Sequence, residues 1–232
     1  MKLSIIIPTY YEEDNIGKLL EFLTQHPRKE TFQIIVVDGG SQDGTIEIIS
    51  KFSVVKLLQS QVASRPVQMN MGTQHASNEI LYFVHADVKL PMGFVDDIEK
   101  QLVTHPAGVY RYQFDSSSWL LKINAFFTRF PMMWCRGGDQ TLYITRSLFD
   151  QIGGFDEYYC VLEDFDILTR IKAVASFAIM PGEVKVSARK YRHNNYFKVQ
   201  WVNLKAFRKY RQGEHPDEIR KYYKTSLNLE YY

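Results

Sequence analysis

The sequence of 232 residues predicts an α/β fold, a single domain built on a mostly parallel central sheet with helices on both faces. The first observation behind this prediction is that residues 3–7, 34–37 and 80–84 are short, continuous apolar runs, which are typical of strands buried on both faces. The second is that segments with apolar residues at helical spacing separate these runs. Strands that alternate with helices in this way favour a parallel sheet.

The elements of the first half follow one another regularly. In chain order we expect strand 3–7, helix 16–23, strand 34–37, helix 46–49, strand 54–58, helix 66–76, strand 80–84 and a helix from Pro91 to about residue 104. The apolar residues of the first helix form a single stripe, as a helix packed on a sheet requires. A proline suits the start of the last helix, since the N–H that it lacks would be unpaired there in any case.

The pattern loosens beyond residue 105, where short helices and strands mix without regular alternation. This part predicts a small antiparallel addition to the sheet within the same domain. The strand segments are 109–114, 141–145, 177–180 and 184–187, and the helices are 119–130, 147–152 and 165–175. A helix at 197–211, with an apolar stripe, is expected near the end of the chain.

Composition excludes several classes of protein. Hydrophobic residues make up 45% of the chain and charged residues 23%, as in an ordinary soluble globular protein, and the net charge is only +2. Cys135 and Cys160 are too few for a disulfide framework and lack metal-ligand spacing, which favours a reducing, cytoplasmic location. The longest apolar-rich segment, 119–135, is interrupted by charged and polar residues, so we expect no membrane-spanning helix.

Polar residues cluster after three of the predicted strands, at residues 9–12, 38–41 and 85–87. In sheets of this class, ligands bind at the carboxyl ends of the strands. Asp38, which two glycines follow, can accept hydrogen bonds from a nucleobase or ribose, or it can simply cap the next helix. Asp87 can hold a divalent cation against a diphosphate, because Mg²⁺ prefers carboxylate and phosphate oxygens; a helix cap is the alternative.

Two further groups of residues carry charge. Glu163 and Asp164 open a predicted helix, where acidic side chains favour the helix dipole. Three acids in four residues exceed that need, so a carboxylate held there can act as general base toward an acceptor hydroxyl. Arginines can bind phosphate in a bidentate way or remain solvated at the surface, and the arginines considered are Arg65, Arg136, Arg189 and Arg192.

Together these residues resemble glycosyltransferase family 2, whose members have the GT-A fold. Residues 3–13 resemble the "SIIIPxYNE" opening of that family, and residues 35–45 resemble its "VVDDGSxDGT" segment. Residues 85–87 lie where the metal-binding D-x-D motif is found. The stretch "GGFDE…ED" of the family is matched by residues 153–157 followed by residues 163–164. The ordered series is specific, although each piece alone is a weak signal.

The segments 64–70 and 138–140 look like one small bacterial subgroup, whose members are described as transferases associated with radical-SAM or selenium-related gene clusters. The resemblance also divides the single domain by task. Residues 1–104 would bind the nucleotide sugar, and residues 105–192 would bind the acceptor and carry catalysis. Residues 193–232 would form a basic, aromatic helical tail.

The resemblance implies an inverting transfer of a sugar from a nucleoside diphosphate donor, by default a UDP-sugar, to an unidentified acceptor hydroxyl. Asp164, with Glu163 beside it, would be the catalytic base, and Asp87 would hold Mn²⁺ or Mg²⁺. The donor would be bound by Pro8, Thr9, Tyr10, Glu12, Asp38, Gly39, Ser41, Arg65, Asn70, His85, Ala86, Arg189 and Arg192. The acceptor, which could be lipid-linked, would be bound by Trp134, Arg136, Gly138, Asp139 and Gln140.

Three positions depart from the family pattern. His85 replaces the first Asp of D-x-D, so metal affinity would be lower or His85 would touch the ribose instead. Gly39 replaces the second Asp of "DDGS", and residues 189–192 lack the tryptophan of the family's Q/R-x-x-R-W motif. The His85 replacement motivates an alternative, a non-catalytic nucleotide-sugar-binding or scaffold protein. A nucleotidyltransferase is disfavoured, because residues 8–11 are not a glycine-rich basic loop.

The C-terminal segment combines aromatic and basic residues. Its helical stripe contains Phe197, Trp201, Leu204 and Phe207, with lysines and arginines between them. One interpretation is an interfacial helix on anionic lipid at the inner face of the membrane, joined by the aromatic segment 119–134. The other is that both stripes pack on the core and the cations form a solvated face. Nucleic acid is not an expected partner, because such a role would rest on this tail alone and carboxylates at the strand ends would repel phosphates in the absence of a metal.

Overall fold

The computed structural model describes residues 1–132, 140–159 and 161–227, so Cys135 and Cys160 lie outside the described residues. Its strands are β1 (Leu3–Thr9), β2 (Phe32–Asp38), β3 (Val55–Gln59), β4 (Ile80–Phe83), β5 (Ala107–Phe114), β6 (Leu142–Thr145) and β7 (Phe177–Val186). Its helices are α1 (Ile16–Thr24), α2 (Thr45–Ser50), α3 (Arg65–Gln74), α4 (Phe94–Leu102), α5 (Trp119–Phe127), α6 (Arg146–Gln151), α7 (Glu163–Val174), α8 (Tyr196–Arg211) and α9 (Pro216–Leu227). Every element expected in the first half of the chain is present.

The strands form a sheet in the order β3-β2-β1-β4-β6-β5-β7. β1 pairs in parallel with β2 and β4, and β2 pairs in parallel with β3. β6 runs antiparallel to both of its neighbours, β4 and β5, whereas β5 and β7 are parallel. The prediction of a mostly parallel sheet with a small antiparallel addition is therefore confirmed.

Alternate side chains of the central strands enter two apolar clusters, one on each face of the sheet. On β1, Ile5 and Ile7 belong to the cluster that α1 and α4 cover, while Ile6 belongs to the cluster that α3 and α7 cover. All three isoleucines are 0% exposed. Successive side chains of a strand point to opposite faces, so a strand between two helical layers requires a continuous apolar run.

β7 joins two segments that the sequence predicts as separate strands. In its pairing with β5, Met180 lies opposite Tyr110, and the register then skips Pro181 and Gly182. These two residues form a bulge within one strand rather than a break between two strands. A Cβ on Gly182 would lie 2.8 Å from a ring carbon of Tyr110, so glycine is needed for this close approach.

α8 and α9 pack against each other as a helical hairpin with its own apolar cluster, to which Val199, Val202, Ile219 and Tyr223 contribute. The turn between the two helices contains Gly213 at φ +72°, in the left-handed region that glycine adopts readily. α8 confirms the helix expected at 197–211, whereas α9 lies in the part of the expected tail for which no separate helix was predicted. Among the described residues, no helix combines the length and apolarity that a membrane span requires.

Candidate functional site

An open cleft lies at the carboxyl edge of the sheet, where β1 and β4 end side by side. It encloses about 680 Å³ of space free of protein atoms, part of which is open to solvent. The lining residues are Pro8, Thr9, Tyr10, Glu12, Ala63, Ser64, Arg65, Gln68, His85, Ala86, Asp87, Arg189 and Arg220. Two polar clusters that are far apart in the sequence, at the ends of β1 and β4, thus meet in one cleft.

Arg189 connects the segment after β7 to the loop after β1. Its two terminal nitrogens contact both carboxylate oxygens of Glu12, at 2.6 and 3.2 Å, as in a bidentate pair. Nη2 of Arg189 also lies 3.6 Å from Oδ2 of Asp87. Glu12 is held in turn by Asn15, whose Nδ2 donates a 2.8 Å hydrogen bond to Oε2. Arg189 therefore brings positive charge into the cleft next to Asp87, the predicted metal ligand.

His85 follows β4, and its side chain is only 12% exposed. Burial, together with the positive charges of Arg65 and Arg189, lowers the pKa of its imidazole to about 3. The ring is therefore neutral near pH 7. Its Nε2 lies 3.9 Å from Oδ2 of Asp164, which is too far for a direct hydrogen bond. A neutral imidazole thus stands between the end of β4 and the first turn of α7.

Glu163 and Asp164, both in the first turn of α7, lie beside different residues of the cleft. Glu163 is 4% exposed, and its Oε1 lies 3.4 Å from Nη1 of Arg65. Burial raises the pKa of Glu163, and the charge of Arg65 opposes that rise. Asp164 is 8% exposed and faces His85. The first turn of α7 therefore places one carboxylate against a cleft arginine and the other against the end of β4.

Arg170 fastens α7 to the loop that precedes it. Its guanidinium donates to Asp166 at 2.6 and 2.8 Å, and to two carbonyl oxygens of that loop, each at 2.7 Å. Leu162, immediately before the helix, has φ +68°, in the left-handed region that side chains seldom adopt. The backbone that carries Glu163 and Asp164 is therefore fixed by an unusual conformation at its start and by Arg170 within the helix.

Asp38 is fully buried at the end of β2 and does not line the cleft. Its Oδ2 accepts 2.8 Å hydrogen bonds from the backbone N–H groups of Gly40 and Ser41. Its Oδ1 accepts from the hydroxyls of Ser41 at 2.6 Å and Thr9 at 3.3 Å. The carboxylate thus shapes the loop that contains Gly39 and Ser41. Contact of these three residues with the donor stays a prediction.

Other predicted residues either do not line the cleft or lie outside the described residues. Asn70 fastens α3 to the loop after α6, because its Nδ2 donates to the carbonyl oxygen of Phe155 at 2.9 Å and its Oδ1 accepts from the N–H of Phe155 at 3.0 Å. Arg192 is exposed and does not line the cleft. Gln140 is 3% exposed and donates to the carbonyl oxygen of Tyr110 at 2.8 Å. Trp134, Arg136, Gly138 and Asp139 lie outside the described residues.

The cleft also contains residues that the sequence analysis missed, namely Ala63, Ser64, Gln68 and Arg220. Gln68 joins the ends of two strands, since its Nε2 donates to the carbonyl oxygens of Thr9 at 2.8 Å and Val37 at 2.7 Å. The sequence feature that could have identified Gln68 is a glutamine beside apolar residues on a predicted helix. Arg220 lies on α9, in the part of the tail for which no separate helix was predicted, so no signal placed it near the cleft.

The fold and the cleft of this protein are those expected of a glycosyltransferase with the GT-A fold. Its sequence matches the model of the family "Glycosyl transferase family 2" over residues 4–156. A second model, "Glycosyltransferase like family 2", matches residues 109–217. The chain belongs to glycosyl transferase family 2.

Solved structures and a curated relative agree with this assignment. TarS 1–349 of Staphylococcus aureus in complex with UDP-GlcNAc is similar with a TM-score of 0.66 and 19% identity, covering 82% of this chain and 59% of that one. The mannosyltransferase PcManGT from Pyrobaculum calidifontis, in complex with GDP-Man and Mn²⁺, has a TM-score of 0.67 and 19% identity, covering 99% and 70%. These two likenesses show the fold. The glycosyltransferase AglE of Haloferax volcanii is 38% identical over 90 residues, which are 36% of this chain and only 30% of that relative.

Proposed function

We propose that this glycosyltransferase moves a sugar from a nucleoside diphosphate donor to an acceptor hydroxyl, with inversion at the anomeric carbon. The observation that supports the proposal best is the composition of the cleft. Asp87 offers a carboxylate for a cation, Arg189 offers a guanidinium beside it, and Asp164 lies at the neighbouring end of β4. A cation held by the carboxylate and a guanidinium beside it can both bind a diphosphate. The carboxylate of Asp164 can act as the base for a hydroxyl nucleophile.

Asp164 is the proposed base. Arg65 binds Glu163, while Asp164 faces His85, a residue of the cleft. As the acceptor oxygen forms its bond to the anomeric carbon, its proton passes to the Asp164 carboxylate. The bond from that carbon to the diphosphate oxygen breaks, and its electron pair leaves on the diphosphate. A single displacement of this kind inverts the anomeric configuration.

A divalent cation fits the cleft as a partner of the diphosphate. Within the described part of the chain, no group of three or more His, Cys, Asp or Glu side chains is arranged to hold a metal by itself. Mg²⁺ is commonly bound by one or two carboxylates together with substrate phosphates, and Asp87 offers such a carboxylate. We therefore propose that Asp87 holds Mn²⁺ or Mg²⁺, which would neutralise charge on the departing diphosphate.

The proposed donor is a nucleoside diphosphate sugar, with a UDP-sugar as the first choice. The solved relatives are complexes with UDP-GlcNAc and with GDP-Man, so both bases belong in a test. Residues 8–10 and residues 85–86 line the same cleft. Membership of the small radical-SAM or selenium-associated subgroup, suggested by residues 64–70, stays part of the proposal.

We further propose that the acceptor lies at an anionic, inner membrane surface. On α8, Phe197, Trp201 and Leu204 are 68%, 58% and 60% exposed. Phe207 of the same stripe instead packs on Phe165, with ring centroids 4.6 Å apart. The sequence of α8 contains five lysines and arginines and no acidic residue. Exposed apolar side chains beside cations suit the interface of an anionic bilayer.

One curated relative supports a lipid-linked acceptor. It is a Methanococcus voltae protein named dolichyl N-acetyl-alpha-D-glucosaminyl phosphate 3-beta-D-2,3-diacetamido-2,3-dideoxy-beta-D-glucuronosyltransferase. It is 32% identical over 93 residues, which cover 36% of this chain and 29% of the relative. A lipid-linked acceptor would bring the reaction to the membrane surface that α8 is proposed to contact.

Calorimetric titration with UDP and GDP, with Mn²⁺ and after chelation, tests the donor site. We expect one of the two nucleotides to bind in the presence of the metal and to bind at least about tenfold more weakly after chelation or in Asp87→Asn. Asp217→Asn, which changes a carboxylate that is 76% exposed on α9, serves as the control. Folded wild-type protein that binds neither nucleotide would contradict the proposal. Binding of a donor that is never turned over would favour the non-catalytic alternative.

A further inference from the structure

Three arginines bring guanidinium groups to the cleft, and they are Arg65, Arg189 and Arg220. The first two are already held by carboxylates, since Arg65 lies 3.4 Å from Glu163 and Arg189 lies 2.6 Å from Glu12. The side chain of Arg220 forms no ion pair and no hydrogen bond with any residue that the structure describes. Among the three arginines, Arg220 is thus the one whose positive charge no carboxylate in the described part of the cleft neutralises.

The position of Arg220 follows from the packing of α9. Ile219 and Tyr223, on either side of it in the sequence, are 1% and 6% exposed and belong to the cluster between α8 and α9. The hydroxyl of Tyr223 donates to Oδ1 of Asn203 at 2.8 Å and accepts from Nζ of Lys190 at 3.0 Å. α9 is therefore fastened to the segment after β7 that also lines the cleft. The backbone of Arg220 therefore cannot move away from the cleft without breaking these contacts.

We infer that Arg220 binds the diphosphate of the donor, so that α9 completes the donor cleft. The inference rests on the proposed function, because it requires a diphosphate in the cleft. A half-buried guanidinium is stabilised by an anionic partner, and its paired N–H groups match two phosphate oxygens. Arg220 lies beyond residues 4–156 and 109–217, which the two family models match. The contact would therefore belong to the C-terminal hairpin rather than to the matched family region.

Nucleotide affinity of three single variants tests the inference. Arg220→Gln removes the charge, and Arg220→Lys keeps a charge without the paired N–H groups of the guanidinium. Lys221→Gln, which changes the exposed neighbouring residue of α9, is the matched control. The probe is UDP or GDP, whichever the wild-type protein binds, together with the corresponding monophosphate. We expect Arg220→Gln to weaken diphosphate binding at least about tenfold, Arg220→Lys to weaken it less, and Lys221→Gln to leave it unchanged. The loss should be smaller for the monophosphate.

The outcomes separate this inference from the function on which it rests. If the wild-type protein binds a nucleoside diphosphate and folded Arg220→Gln binds it equally well, Arg220 is not a ligand and the proposed function stands. If the wild-type protein binds neither nucleotide, the proposed function fails and the inference fails with it. Should Arg220→Gln not fold, Arg220→Lys decides, because unchanged affinity would exclude a bidentate contact and a loss of about threefold or more would support it.

Discussion

Carboxylates in and near the cleft differ in what their oxygens contact. Asp38 directs both oxygens to its own loop and to β1, and Asp166 accepts hydrogen bonds from an arginine one helical turn away. Asp87 and Asp164 lie instead at the cleft and at the end of β4. We expect the first two residues to govern stability and the last two to govern binding and turnover.

Asp164→Asn keeps the shape of the side chain but removes the proposed base. An amide cannot take the proton of the acceptor hydroxyl, so kcat should fall by about 10²–10⁴-fold while nucleotide affinity changes by less than about twofold. Release of nucleotide from the donor measures the first quantity, and calorimetry measures the second. Asp150→Asn, a change of an exposed carboxylate on α6, should leave both unchanged. Wild-type kcat in Asp164→Asn would exclude this residue as the base.

Glu163 should make the stability of the protein depend on pH. Because burial raises its pKa above the ordinary value of 4.5, the stability linked to its protonation is fully present below that value and is lost as the pH rises through the folded-state pKa. Glu163→Gln does not titrate. The free energy of unfolding of the wild-type protein should therefore fall relative to that of the variant over this interval.

Urea unfolding of the wild-type protein and Glu163→Gln at a series of pH values from acid to neutral measures this difference. Glu30→Gln, at an exposed position, should show no such trend. A difference between wild-type protein and Glu163→Gln that is constant, or that grows in favour of the wild-type protein as the pH rises, would show that burial does not dominate the pKa of Glu163.

The sequence places the strand ends well but not the partners of the residues there. The sequence predicts that Thr9 and His85 lie near each other, because parallel strands end at the same edge of a sheet, and both residues line the cleft. The pairing of Glu12 with Arg189 joins residues 177 positions apart, and it depends on how the segment after β7 returns across the sheet. No local pattern carries that information.

Among the helices, α9 explains why Arg220 was missed. Its buried residues are Pro216, Ile219, Tyr223 and Leu227. They form a stripe one residue wide in an otherwise polar segment, and the stripe becomes a packing surface only when α8 lies against it. Helix periodicity can thus predict that such a segment is helical, but the partner of its stripe comes from the tertiary structure.

The exposed face of α8 should bind anionic membranes. Phe197→Ser combined with Trp201→Ser removes two aromatic side chains that are 68% and 58% exposed, so the fold should be retained. Flotation with vesicles of phosphatidylcholine and phosphatidylglycerol should show binding of the wild-type protein and at least about tenfold weaker binding of the variant.

Val54→Ser combined with Val103→Ser is the control, because these valines, which lie just before β3 and just after α4, are 70% and 83% exposed. Binding of the control should equal that of the wild-type protein. A wild-type protein that does not float with the vesicles, or a variant of α8 that binds equally well, would remove the membrane proposal. Self-association that depends on Trp201 would instead identify a second copy of the chain as the partner of this face.

For the whole molecule, the sequence predicted one half of the sheet better than the other. The group β3-β2-β1-β4 consists of strands that pair in parallel around β1, with helices between them, and periodicity reveals both kinds of element. The group β6-β5-β7 places β6 between β4 and β5, out of chain order. Strand order of this kind depends on contacts between distant segments. In addition, the bulge in β7 interrupts the strand pattern in the sequence, so that one strand was predicted as two.

The division of the sheet also has a consequence for synthesis of the chain. All strands of the group β3-β2-β1-β4 lie within residues 3–83, so they leave the ribosome before any strand of the other group does. The parallel group can therefore assemble first, as N-terminal parts of nascent chains do. Until β6 arrives, β4 exposes the edge that later forms four residue pairs, from Ile80 to Phe83. Because this exposed edge of β4 is short, it offers little backbone with which a second nascent chain could pair.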